Sequence, residues 1–241
     1  MILFNFLKNI FLILLFICFT PIIIKEVTLQ YSPFFEPHTP IGIITINGII
    51  HDSSNYTDQL NSFFKNPAIK GIIIKINSID SFAASSQTIF HEIQQLKQHY
   101  PKPIIALVEN ACLSGSYLIA SACDSIIAPQ SALIGGIGLN VSNLQLKNIK
   151  TIQESSVSAI QNDIYQQFIH QIAAARKLSL ATVHLWAEGM IYTGNKAVSL
   201  GLINKTGSTH TAIEILKEKA LIDGEIEWVG APNRNDNGRL G

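Results

Sequence analysis

Three short isoleucine-rich runs, IGIITING, IKGIIIKIN and PIIALVEN, each bounded by turn or breaker residues, constrain the fold more than any other feature of the chain. β-branched residues suit a pleated, buried surface, and a run with little polar alternation reads as a strand buried on both faces. Between the second and third runs lies SSQTIFHEIQQLKQHY, in which Ile89, Ile93 and Leu96 recur at helical spacing and Ser85 or Ser86 is available as N-cap. Strand, helix and strand in that order make a crossover unit, which implies parallel pairing and an α/β class. Further on, YLIASACDSIIAPQ reads as a helix and a short strand, and IYQQFIHQIAAARKL is amphipathic. SLATVHLWAEG opens on a serine and closes on a glycine, as helices often do.

The chain has 241 residues, 47% of them hydrophobic, enough for one domain with a real core and an appended segment. Seventeen basic residues balance seventeen acidic ones, so no cationic surplus suggests a nucleic-acid partner. Residues 2–24 are nearly all apolar, broken by Asn5, Lys8 and Asn9, and about 20 such residues can span a bilayer. CFTPIIIKEV offers no small-residue cleavage site, so a retained anchor is expected over residues 1–25. A proline-containing linker over 26–40, an α/β domain over 41–223 and a polar, frayed tail over 224–241 follow. Cys18, Cys112 and Cys123 imply no disulfide framework, and the histidines show no metal-ligand spacing. No metal and no cofactor are expected.

The stretch ACLSGSYLIASACD places Ser114 and Gly115 between a strand and an apolar helix. A serine there can cap the helix, or it can be a nucleophile if a base takes its proton and backbone donors receive the oxyanion. The N–H groups of Gly115 and Ser116 would face an oxygen bound at that junction, and Gly115 would let a substrate backbone come close.

ENACLSGSYLIASACDSIIAPQSALIGGIGLN resembles the nucleophile region of the signal peptide peptidase A family, membrane-anchored peptidases with a Ser/Lys dyad. Ser114, Gly115, Tyr117, Asp124, Ile127, Ala128, Gly135, Ile137 and Gly138 match its pattern. IGIITINGII upstream, and FIHQIAAARKLS with AEGMIYTGNKAVSLGLINKTG downstream, extend the likeness in order over most of residues 41–207. The resemblance implies a crotonase/Clp-protease-like superhelical β-α-β fold behind one N-terminal transmembrane helix, with Ser114 as nucleophile. It further implies peptide substrates such as signal-peptide remnants, a homo-oligomeric ring, and a bacterial inner-membrane protein whose domain lies on the periplasmic side.

Several positions depart from the family. The proline and two glycines of its oxyanion loop are Ile79, Asp80 and Ser81, its second glycine after the nucleophile is Ser116, and the serine that supports its base lysine is Gly136. Gly115, Asp80, Ser81 and Gly136 are therefore the expected oxyanion or substrate-binding positions. In the shortened segment after Gly138 no lysine falls at the base position, leaving Lys147 and Lys150 as the nearest candidates. Two readings follow: a serine peptidase acting through Ser114, or a non-catalytic relative that binds peptides or partner subunits at a membrane.

Overall fold

The computed structural model describes residues 8, 10, 15–26, 38–138 and 154–230, with side chains from 157 onward in the second long stretch. The chain divides into two units, Met1–His38 and Thr39–Gly241. In the first, residues 15–26 form a helix (α1). Among the described residues no helix is long and apolar enough to cross a membrane. The anchor expected over 1–25 lies partly outside the described residues.

Among its described residues the second unit is an eight-stranded sheet with helices on both faces. Its elements run β1 (Thr39–Asn47), α2 (Ser54–Lys65), β2 (Gly71–Ser78), α3 (Ala83–His99), β3 (Ile104–Leu113), α4 (Gly115–Ser121), β4 (Ser125–Ala128) and β5 (Leu133–Gly135). After these come α5 (Glu154–Arg176), α6 (Leu180–His184), β6 (Ile191–Thr193), α7 (Gly194–Ser199), β7 (Lys205–Thr206), α8 (Thr209–Ala220) and β8 (Ile226–Val229). The main path is β6-β5-β3-β2-β1-β8, and β4 joins β3 to β7. Every pairing is parallel except β5 with β6.

The isoleucine runs are the central strands, and their side chains alternate between two apolar layers. Ile72, Ile74 and Ile76 of β2, with Ile104, Ala106 and Val108 of β3, enter the larger core beneath α2, α3, α4 and α5. Ile73, Ile105 and Leu107 point the other way, against Ala212 and Leu216 of α8. Burial on both sides explains why these strands lack polar alternation.

Three features differ from the sequence reading. Helix α3 begins at Ala83, and Ser86 lies inside it with its hydroxyl 3.1 Å from the Phe82 carbonyl, so neither Ser85 nor Ser86 is the N-cap. Its first turn is held by backbone contacts at Phe82, which the serines disguised. Strand β8 lies in the stretch expected as a frayed tail and pairs with β1 from Thr39 to Gly42. Ile226 and Trp228 alternate onto the smaller apolar layer, which holds this short segment in register. Strand β1 likewise starts inside the expected linker. By contrast Ser179 accepts the Thr182 N–H and caps α6, as its position predicts.

Candidate active site

Strands β2 and β3 pair up to Ser78 and Cys112, where the register shifts, and beyond this point the two chains part. The gap between their ends holds the candidate site. Of the seven polar residues buried among the described ones, five collect here: Ser78, Ser81, Ser86, Ser114 and Ser116. Such a concentration at one strand end is not needed to close a core.

Ser114 occupies the position before α4 but does not cap it, since its side chain makes no cap hydrogen bond. Its backbone sits at φ 56°, ψ −129°, a conformation that costs a residue other than glycine about 1–3 kcal/mol. The turn is fixed from both sides: the Ser114 N–H donates to the Gly135 carbonyl at 2.9 Å, and the Ser114 carbonyl accepts from the Tyr117 N–H at 3.1 Å. The result is a sharp strand-to-helix bend with the Ser114 hydroxyl left free of the cap of α4. The residue is 7% exposed and so keeps a small opening to solvent.

The neighbours of Ser114 are tightly packed. A Cβ on Gly115 would lie 2.0 Å from the Ser81 Oγ and 2.1 Å from the Ser86 Oγ, so only glycine fits beside this pair. Those two hydroxyls are themselves 2.6 Å apart. Ser116 Oγ lies 2.7 Å from the Leu113 carbonyl and 3.1 Å from that of Ser78, bolting the first turn of α4 to the ends of both strands. Gly136, at φ +59°, brings its backbone so close that a Cβ there would stand 3.5 Å from the Ser114 nitrogen. Its N–H donates to the Met190 carbonyl.

The loop from β2 to α3 is pinned by its own polar groups. The Asp80 carbonyl accepts from the Ile50 N–H at 3.2 Å and from the Ser78 hydroxyl at 3.1 Å, and the Asp80 carboxylate accepts the Ser81 N–H at 2.8 Å. Neither Asp80 nor Ser81 has a positive φ, so the residues replacing the family's glycines sit without backbone strain.

Of the residues singled out from sequence, Ser114, Gly115, Ser81 and Gly136 meet at one point, and Asp80 reaches it through Ser81. Lys147 and Lys150 lie outside the described residues. No base is hydrogen-bonded to the Ser114 hydroxyl among the described residues. Ser86 was missed as a site neighbour because its place at the start of a helical pattern reads as a cap. Asp124, matched by sequence to the family's buried acid, is a structural group. One carboxylate oxygen accepts the Ile104 N–H at 2.8 Å, the other meets Lys97 at 2.6 Å, and together they fix the start of β3. Tyr117 donates its hydroxyl to the Leu202 carbonyl at 2.7 Å, and burial raises its phenol above the ordinary value. The thiols of Cys112 and Cys123 are held in the unreactive neutral form, because burial pushes both up to about 12.

Comparison with known proteins gives the family and the fold. The pattern of Peptidase family S49 matches residues 96–153 and 149–223. The Enterococcus faecium protein named "Putative signal peptide peptidase SppA" is 26% identical over 228 residues, covering 76% of this chain and 64% of that protein. "Protease 4" of Haemophilus influenzae is 24% identical over 230 residues, covering 78% of this chain and 37% of its own. The chain thus spans less than two thirds of the length of these curated relatives. Among solved structures, a ClpP1 point mutant from Listeria monocytogenes superposes with a TM-score of 0.55 at 14% identity, over 71% of this chain and 94% of that one, a likeness of fold. With the expected α/β architecture in place and the family pattern matching over half its length, the chain belongs to peptidase family S49, the family of signal peptide peptidase SppA.

Proposed function

We propose that this protein is a serine peptidase of the signal peptide peptidase A type, with Ser114 as its nucleophile. The observation that carries this reading is the Ser114 backbone. A strained conformation persists only where the surroundings over-determine it, and here it yields no cap, leaving a role for the hydroxyl itself as the reason to keep it. The Ser114 oxygen attacks a peptide carbonyl, its proton passes to a base, and the oxyanion turns toward backbone donors of Gly115 and of the 79–81 loop. Lys147 or Lys150, from this chain or from a neighbouring copy in a ring, is the proposed base. The apolar run over residues 1–25 serves as a single-pass anchor in the bacterial inner membrane, with the domain on the periplasmic side. Held there, the site meets membrane-proximal peptides such as signal-peptide remnants.

The test is covalent labelling. Full-length protein in detergent, treated with a fluorophosphonate, is expected to carry one adduct on Ser114, absent from Ser114→Ala. No adduct on folded protein at saturating probe, in wild type and in Asp80→Ala alike, would sink the nucleophile assignment. A second reading, a peptide-binding relative without catalysis, draws support from the Asp80 carboxylate on the Ser81 N–H. Retained binding of an unlabelled signal peptide with no cleavage in any variant would favour it.

A further inference from the structure

The contact between Asp80 and Ser81 has a direction that follows from pairing rules. Ser81 forms a parallel bridge with Ile50, made by the Asp80 carbonyl, which accepts the Ile50 N–H, and by the Phe82 N–H, which donates to the Ile50 carbonyl. In such a bridge the central residue's own N–H and C=O point to the opposite side. Ile50 follows β1, Ser81 follows β2 and Ser114 follows β3, and in the sheet β2 lies between the other two. The Ser81 N–H therefore faces the gap beyond Ser78 and Cys112, the side on which Ser114 and Gly115 lie. The packing of Ser81 Oγ against Gly115 places the two segments in contact. What fills this donor is the carboxylate of the preceding residue, at 2.8 Å.

We propose that the Asp80 carboxylate is an internal occupant of the oxyanion position, accepting the Ser81 N–H on the side of Ser114 and so holding the peptidase latent. This rests on the reading of Ser114 as nucleophile. A carboxylate there acts twice against catalysis: it spends a donor the tetrahedral oxygen needs, and its negative charge opposes the charge that develops. The hydrogen bond is local and partly buried, made by a side chain whose own backbone is held separately through its carbonyl. The carboxylate can therefore rotate away about its side-chain torsions while the loop and the N–H stay in place. Displacement by an incoming extended peptide, whose carbonyl takes the same N–H, would release the site. Latency of this kind would keep an anchored peptidase silent until substrate occupies the gap.

The experiment compares second-order rates of fluorophosphonate labelling at Ser114 in full-length wild type, Asp80→Ala, Asp80→Asn and Asp80→Ala with Ser114→Ala. Freeing one oxyanion donor and removing the opposing charge is expected to accelerate labelling by at least about ten-fold in Asp80→Ala, with the roughly 10²–10³-fold that a single such donor contributes as the upper range. Asp80→Asn, which keeps the shape and loses the charge, is expected to fall between, and the double variant to stay silent. Asp80→Asn also decides the matter if the alanine variant does not fold, since an unchanged rate in it overturns the proposal. Equal or slower labelling in a folded Asp80→Ala overturns latency and leaves the peptidase reading standing. Absence of labelling in every variant overturns both.

Discussion

At the residue scale, the site is built from small side chains in positions where the backbone must come close. Gly115 shows this most sharply, since a methyl group there would meet two hydroxyls at about half the usual contact distance. Gly115→Ala is expected to destabilise the domain by about 1–3 kcal/mol, the range for overpacking a fitted core, seen as a lower midpoint in urea unfolding. Ser81→Gly in the same chain removes one of the two clashing hydroxyls and is expected to recover part of the loss, whereas additive losses would show that the clash is relieved elsewhere. Ser114 was identifiable from its flanking motif, but its backbone angles were not. A φ of 56° is imposed by Gly135, Gly136 and the start of α4 acting together, and no single residue type announces it.

At the element scale, the placement of Ser114 depends on where β3 starts as well as where it ends. Asp124 accepts the Ile104 N–H on its carboxylate, donates its own N–H to the Ile104 carbonyl, and pairs with Lys97 of α3. Asp124→Ala removes the acceptor of a partly buried backbone donor and is expected to cost about 1–2 kcal/mol. Lys97→Ala leaves that hydrogen bond intact and removes a partly exposed ion pair and a hydrogen bond to the Ala122 carbonyl, for an expected loss of about 1 kcal/mol or less. Equal losses in thermal or urea unfolding would contradict this division of roles. The strands were legible in the sequence because burial on both faces leaves an unbroken isoleucine run. Short elements such as β5, β6 and β7 were not, since two or three residues carry no period and exist only through their partners. Helix α2, with Leu60, Phe63 and Phe64 buried, does carry a pattern, spread thinly through a polar segment.

At the scale of the whole molecule, one large core holds the site's rear wall, and the two buried thiols report on it. Cys112 lies at the end of β3 and Cys123 just after α4, both in that core. Burial disfavours the thiolate and raises both groups to about 12. The native chain should then resist iodoacetamide at these two cysteines with no acceleration between about pH 7 and pH 9, while denatured chain reacts faster as pH rises toward the ordinary thiol value near 8.5. Peptide mapping after alkylation checks this. Because the folded values lie above the unfolded ones, the stability held by the neutral thiols is full below about pH 8.5 and is lost progressively as pH rises toward about 12. Reaction at Cys112 in native protein would show that the core opens beside the site.

The sequence by itself determined the α/β class, the parallel central strands, the family and the position of its candidate nucleophile, because each is written in local pattern: burial periodicity, breakers and an ordered series of short motifs. Only the tertiary structure decided what the replaced residues do. Asp80, Ser81, Ser86 and Gly115 are separated by up to 35 positions in the chain, yet they meet because β2 and β3 run side by side and part at the same height. The same is true of β8, whose four residues read as a polar tail until β1 offers them a free edge. A carboxylate on a backbone N–H is a matter of which way one peptide plane faces, and that is set by the strand on its other side.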